Sequence, residues 1–408
     1  MSPSLFDPIH IGSIPLSHRV AMAPLTRYRA NDAHVHTSLA TEYYGQRASV
    51  SGTLLITEAT FISPRASGYA NVPGIYNKDQ IAAWKNVTDA VHKEGSYIFC
   101  QLWALGRTAK PEIVRKEAGE KWFASSSSVP MEAGTEEPRA LDEEDIRGLV
   151  GDYVQAAKNA IEAGFDGVEI HGANGYLIDQ FIQDVVNKRT DAWGGSVEKR
   201  SRFALEVAKA VVEAVGSEKV GIRLSPFSTY QGMKMAHPVP QFSHLVEGLK
   251  ELKLGYLHLV ESRISGNADV ETTERVEPLL KIWGKTSPVL LAGGFQPDSA
   301  KRAVEKEYTG QDVMIVFGRH FISNPDLPFR IEKGIELTKY DRDTFYKTGS
   351  PDGYVDYPFS KEWEAQSKLS FECYDPTTVS IKDFVFMHYP RMNGFDGGNS
   401  ADIGPVLM

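Results

Sequence analysis

Eight short apolar runs recur between residues 19 and 320, and this repetition constrains the fold more than any other feature of the chain. They occupy 19–25, 53–60, 97–102, 167–171, 220–224, 256–260, 288–292 and 313–317. Most are continuous rather than alternating, the pattern of strands covered on both faces in a parallel sheet. Helical periodicity fills the intervals. In 79–94, Ile81, Trp84, Val87 and Val91 share a stripe, and Gly95 stands where a helix would end. In 142–163, Ile146, Leu149, Tyr153, Ala157 and Ile161 do the same, with Asp142 as N-cap and Gly164 as terminator. Segments 196–215, 240–252, 297–307 and 326–337 have the same character. Leu39, Tyr43 and Tyr44, with Arg47 outward, suit a helix at 38–48. The alternation predicts an α/β fold, a (β/α)8 TIM barrel. An open doubly wound sheet is the structural alternative, because periodicity does not show closure.

Three stretches exceed the minimal repeat. Residues 107–141, with Lys110-Pro111, Ser125 to Ser128, Pro130 and Pro138, form a long excursion after the third strand, and 263–280 form a polar one after the sixth. Beyond residue 360 the chain is rich in Pro, Asp, Asn and Gly, and Val379, Ile381, Phe384, Val385 and Phe386 could dock it on the barrel or on a second subunit. The expected organisation is therefore a catalytic barrel at 1–360 and a C-terminal extension at 361–408.

Composition removes several classes of function. With 44 Lys plus Arg against 53 Asp plus Glu, a net charge of −9 and no basic block, binding to nucleic acid is not expected. No apolar run reaches the roughly 18–20 residues of a membrane span, and no targeting signal is visible, so a cytoplasmic location is the expectation. Cys100 and Cys373 are the only cysteines, which excludes a disulfide scaffold. His34, His36, His237 and His320 lack metal-ligand spacing, so no metal is expected.

In such barrels the active site gathers at the C-terminal ends of the strands. The ends here carry Pro24-Leu25-Thr26, Glu58-Ala59-Thr60, Gln101-Leu102-Trp103, His171 to Tyr176, Arg223, Gly293-Gly294 and Gly318-Arg319. Glycines after strands seven and eight, each before a helix start, let backbone N–H groups approach a phosphate, and Arg319 adds charge. Single glycine turns would be ordinary; two such loops and an arginine favour a phosphate. Gln101 offers a donor and an acceptor to an imide edge, and Arg223 a fixed cation near a developing anion. An isoalloxazine has both features and a sugar phosphate neither. His171 and Asn174 could hold a carbonyl oxygen, and Tyr176 could donate a proton beside it. Separately, each of these three would pass as a core histidine, a turn asparagine and a packing aromatic. Glu58 and Glu169 read as structural carboxylates paired with an arginine. A flavin-free phosphate-binding lyase or isomerase using His171 and Glu169, and a retired barrel acting as a scaffold, are the competing functions.

The strings Met22-Ala23-Pro24-Leu25-Thr26-Arg27, Gln101 to Arg107, His171-Gly172-Ala173-Asn174-Gly175-Tyr176-Leu177 and Arg189 to Ser196 resemble the Old Yellow Enzyme family of FMN-dependent ene-reductases, over roughly residues 3–358. The His-x-x-Asn-x-Tyr form looks like the yeast and plant branch, with a fungal flavour. The resemblance implies non-covalent FMN, with Thr26 and Gln101 on its pyrimidine edge and Arg223 near N1–O2. Pro24, Leu25, Ala59 and His171 would line it, with Gly293, Gly294, Gly318 and Arg319 on the phosphate. His171 and Asn174 would bind the carbonyl oxygen of an activated alkene and Tyr176 would protonate its α-carbon. NADPH would be the reductant in a ping-pong cycle, and the chain a monomer or homodimer. Trp103, Tyr69 and Tyr346 would line the substrate side, and Tyr28, where a smaller residue is expected, would narrow the pocket. A specialised substrate in a secondary-metabolite pathway is a variant of the same reading.

Overall fold

The computed structural model describes residues 4–262, 264–265, 268–269 and 274–372. Its centre is eight parallel strands: β1 (Val20–Met22), β2 (Leu54–Ile56), β3 (Tyr97–Trp103), β4 (Gly167–Gly172), β5 (Val220–Leu224), β6 (Tyr256–Val260), β7 (Val289–Ala292) and β8 (Val313–Phe317). Each pairs with its successor, and β8 pairs with β1 through Ile315↔Val20 and Phe317↔Met22. The sheet is therefore closed, a (β/α)8 barrel, and the open-sheet alternative falls.

Strand parity divides the side chains into two cores. Ile98, Cys100, Leu102, Val168, Ile170, Ile222, Leu224, Leu257 and Leu259 face outward into the layer shared with the helices. Alternate residues Ala21, Leu54, Phe99, Tyr256, Leu290 and Met314 fill the barrel interior. Glycine makes room there: a Cβ on Gly221 would lie 2.2 Å from the Tyr256 ring and one on Gly167 2.3 Å from Phe99. A hairpin of Ile9–Ile11 and Ile14–Leu16, unforeseen in the sequence because each strand has three residues, adds Ile9, Ile11 and Leu16 to the interior core.

The helices follow their capping chemistry. Among them are α1 (Ser38–Arg47), α2 (Lys78–Lys93), α3 (Glu143–Glu162), α4 (Val197–Val215), α5 (Pro238–Glu251), α6 (Glu277–Trp283), α7 (Pro297–Arg302) and α8 (Leu327–Lys333). Asn77 and Gln80 form a capping box on α2, and Asp142 and Ser196 cap α3 and α4. Two expectations change. The polar excursion at 263–280 ends inside α6, which buries Leu279, Leu280 and Trp283. The helix expected over 297–307 is α-helical only to Arg302 and continues as a π turn.

Arg47, expected outward, is fully buried. Its guanidinium donates to the carbonyls of Phe321, Ile322, Tyr43 and Tyr354. Arg27 and Arg29 are buried beside it and donate mainly to carbonyls of the 344–353 segment. Tyr43 and Tyr354 stack between these cations, 4.0 Å apart at 6°. An arginine periodic with apolar residues resembles an exposed one in sequence; only the distant carbonyls distinguish them.

The excursion after β3 carries a helix, Pro111–Ala118, tied to the loop after β1. His34 Nε2 lies 3.2 Å from Glu117 Oε1, its Nδ1 2.6 Å from the Val72 carbonyl, and Ser67 donates to the same carboxylate. Burial alone would depress His34, but these bonds outweigh it and raise its pKa above 6.5. Stability from a raised histidine is fully present below pH 6.5 and is lost as pH rises through the folded value. Melting temperature is therefore expected to fall across the range above pH 6.5, and His34→Gln to flatten that slope; an unchanged slope contradicts the assignment.

The chain divides after Ser360, and of the second unit the helix Lys361–Glu372 is described. Val379, Ile381, Phe384, Val385, Phe386 and Cys373 lie outside the described residues. Among the described residues no helix is long and apolar enough to cross a membrane, and no group of three or more His, Cys, Asp or Glu could hold a metal.

Candidate active site

A cavity of about 510 Å³ opens over the C-terminal ends of the strands, within the range usual for small-molecule sites. Fourteen residues expected at the site line it: Pro24, Leu25, Thr26, Tyr28, Tyr69, Trp103, Asn174, Tyr176, Arg223, Gly293, Gly294, Gly318, Arg319 and Tyr346. Gln101, Ala59 and His171 are buried and are not among the lining residues. Tyr230, Phe295, Gln296, Phe317, His320 and Phe345 also line it and escaped the sequence reading. Strand-end position could have found Phe317; Tyr230 and Phe345 stand on loops with no pattern of their own.

The turn after β4 places the polar group. Asn174 is left-handed, φ 57°, a conformation that asparagine tolerates better than most residues, and its N–H donates to Ser225 Oγ at 2.7 Å. Gly175 follows at φ 78°, where a Cβ would meet Gln231 and Met233 at 2.9 Å. Its N–H donates to Asp179, and Gln180 donates to the Gly175 and Leu105 carbonyls. Tyr176 is thereby fixed edge-on to Trp103 at 4.7 Å and to His171 at 4.9 Å.

Electrostatics separate the two groups. Burial, with the neighbouring phenols Tyr69, Tyr230 and Tyr28, pushes the Tyr176 hydroxyl well above its usual range, so it holds its proton. Burial, then the charge of Arg223, holds His171 well below 6.5, so the imidazole is neutral. Its Nδ1 accepts the Ala173 N–H at 3.3 Å, which leaves the ring proton on Nε2.

Beneath the cavity lies a polar layer inside the barrel. Glu169 accepts from Gln101 Nε2 at 2.7 Å, Tyr256 OH at 3.0 Å and His258 Nδ1 at 2.8 Å. Burial opposes its charge, but His258, Arg223 and Gln101 outweigh it and hold the carboxyl below its usual range. The expected arginine pairing of Glu169 thus becomes a three-donor network with Arg223 acting through its charge. Glu58 differs: burial pushes it up to about 7, and it accepts the Arg27 backbone N–H at 3.1 Å.

The donor set suits a flavin ring, through Arg223, and its phosphate, through the glycine turns and Arg319. Arg223 Nε is buried with no hydrogen-bond partner. Gly293 has φ 150° and no room for a Cβ, which would lie 2.8 Å from Glu261, and Gly294 is left-handed at φ 63°. The helices after these turns are short, so the bare backbone and Arg319 carry the argument.

A closed barrel with its polar groups and glycine turns at one mouth has the layout of a barrel enzyme with an anion-binding site. The comparisons agree: the model of the NADH:flavin oxidoreductase / NADH oxidase family matches residues 4–338. The chain belongs to this FMN-dependent family and to its Old Yellow Enzyme group. It is 59% identical over 360 residues to chanoclavine-I aldehyde reductase fgaOx3 of Penicillium roqueforti, covering 88% of this chain and 97% of that one. It is 53% identical to the NADP-dependent oxidoreductase lnbE of Aspergillus flavus, covering 89% and 98%. It is also 53% identical to the probable inactive dehydrogenase easA of Claviceps purpurea, covering 89% and 97%. Old Yellow Enzyme from Pichia sp. superposes with a TM-score of 0.81 at 41% identity, over 88% of this chain and 94% of that one.

Proposed function

We propose that the chain holds FMN non-covalently in this cavity and uses NADPH to reduce the activated C=C bond of α,β-unsaturated carbonyl compounds in a ping-pong cycle. The observation that carries this is that Asn174, Tyr176 and Arg223 open onto the same cavity as the turns Gly293-Gly294 and Gly318-Arg319. Thr26 and Gln101 would hold the pyrimidine edge, Arg223 the N1–O2 locus, and Pro24, Leu25 and Ala59 the ring. Gly293, Gly294, Gly318 and Arg319 would take the phosphate. The chemistry FMN supplies when bound is hydride transfer, from reduced nicotinamide and then to the β-carbon of the alkene.

The protein's part follows from protonation and position. Neutral His171, with its proton on Nε2, and the Asn174 amide would donate to the substrate oxygen and draw electron density from the β-carbon. Tyr176, held protonated, would deliver its proton to the α-carbon. The cavity walls would hold one face of the alkene toward the reacting groups. The names of two relatives, an aldehyde reductase and an NADP-dependent oxidoreductase, support a specialised aldehyde as substrate and NADPH as donor.

Anaerobic incubation of the FMN-loaded protein with NADPH and 2-cyclohexenone tests this reading: one cyclohexanone is expected per NADPH, with parallel double-reciprocal lines. NADPH consumption without alkene reduction overturns it. His171→Ala and Asn174→Ala are each expected to weaken p-hydroxybenzaldehyde binding by about tenfold, the loss of one hydrogen bond to a charged oxygen, as read by flavin difference spectra. Unchanged affinity removes them from the oxygen site.

A further inference from the structure

The reduction chemistry leaves a buried carboxylate inside the barrel, Glu169, without a task. Strand register places it. Gln101 on β3 lies opposite Glu169 on β4, Glu169 opposite Gly221 on β5, and Gly221 opposite Tyr256 on β6. A Cβ on Gly221 would collide with the Tyr256 ring, so the glycine lets the Tyr256 hydroxyl reach Glu169 Oε2 at 3.0 Å. Two residues further along β5, Arg223 lies opposite both His171 and His258, and His258 Nδ1 meets the same Oε2 at 2.8 Å. The other oxygen, Oε1, takes Gln101 Nε2 at 2.7 Å, which orients the Gln101 amide. Turned the other way, its carbonyl oxygen would face a carboxylate oxygen at that distance. One Nε2 hydrogen and the Gln101 carbonyl oxygen are left, an adjacent donor and acceptor of the kind an imide edge needs.

We propose that Glu169 is a positioning residue for the flavin, a buried counter-charge that offsets part of the Arg223 cation and so lowers the reduction potential of the bound ring. The proposal rests on the function proposed above. Arg223 Nε is buried with no hydrogen-bond partner, and Glu169 acts on this guanidinium through charge. Burial holds His171 and His258 below 6.5, so both are neutral, which leaves Glu169 and Arg223 as the charged members of the network. Arg223 by itself would favour the negative charge that develops at N1–O2 on reduction; a carboxylate in the same layer weakens that preference. Packing does not explain the carboxylate. A glutamine would fill the same space without the cost of burying an ionised group, a cost that the three donors here only offset.

Midpoint potentials of the FMN-loaded protein test it, read by equilibration with phenosafranine while xanthine oxidase supplies the electrons. Glu169→Gln keeps the shape and an acceptor for Gln101 but removes the charge. The ratio of reduced to oxidised flavin at a given dye ratio should rise about tenfold, a positive shift of about 30 mV for a two-electron couple. Tyr256→Phe removes one donor and leaves the carboxylate charge less screened, so the same ratio should fall, by about threefold. A purely structural role would loosen the site in both variants and would not give opposite signs. A Glu169→Gln potential equal to or below that of the wild type overturns the proposal while the reductase reading stands. If Glu169→Gln does not fold or hold FMN, Tyr256→Phe decides, and an unchanged or raised potential overturns the proposal. Wild-type protein that takes up no FMN is a failure of the reductase reading, and this proposal falls with it.

Discussion

Tyr176→Phe is expected to lower reduction of 2-cyclohexenone by 10² or more, the usual cost of losing a general acid, while reduction of the bound flavin by NADPH proceeds at close to the wild-type rate. The asymmetry is the informative part. Only the phenol hydroxyl is removed, and the ring keeps its edge-on contacts with Trp103 and His171. The nicotinamide step needs no proton from this residue; the alkene step does. Because burial and three nearby phenols hold the hydroxyl protonated, the wild-type alkene step should show no loss of this acid across neutral pH. Stopped-flow measurement of the two half-reactions checks both statements. Equal slowing of both would mean that Tyr176 shapes the pocket and donates nothing.

Arg29→Met is expected to be the most damaging single change to stability away from the reacting groups. The Arg29 guanidinium donates to five backbone carbonyls, those of Arg27, Thr344, Phe345, Ser350 and Asp352, at 2.6 to 3.0 Å. Methionine fills similar space but removes all five donated bonds; the Phe345 carbonyl keeps Arg27 Nε at 3.0 Å, while those of Arg27, Thr344, Ser350 and Asp352 lose the guanidinium. At about 1 kcal/mol or more for each unsatisfied group, a loss of roughly 3–5 kcal/mol is expected in urea denaturation, within the range seen when a buried polar network is broken. Proteolysis should then cut first within 341–354. Since that segment carries Phe345 and Tyr346, KM for alkenes should rise more than kcat falls. A change under about 1 kcal/mol would show that water replaces the clamp.

The barrel was legible because its signal is repetitive: eight apolar runs at strand length, separated by amphipathic helices with ordinary caps. Closure was not, since it depends on β8 meeting β1, two segments nearly 300 residues apart, through Ile315 and Val20. The strand-end rule brought Thr26, Asn174, Tyr176, Arg223 and the glycine turns to one mouth. It said nothing of exposure, and Gln101, Ala59 and His171 are buried and do not line the cavity. Nor did it distinguish partners: Glu169 was expected on an arginine and sits among Gln101, Tyr256 and His258, which parity within the barrel brings inward together. Arg47 was misplaced for a related reason. A buried cation on an apolar stripe is held by carbonyls from Tyr43, Phe321, Ile322 and Tyr354, most of them remote in sequence. Tyr230 and Phe345, on irregular loops, carry no periodicity at all.

The most direct test is one anaerobic visible spectrum of the purified protein, recorded before and after NADPH and again after 2-cyclohexenone. Flavin bands that bleach with the nucleotide and return with the enone are the predicted result. A colourless protein that takes up no added FMN would contradict the account at its centre.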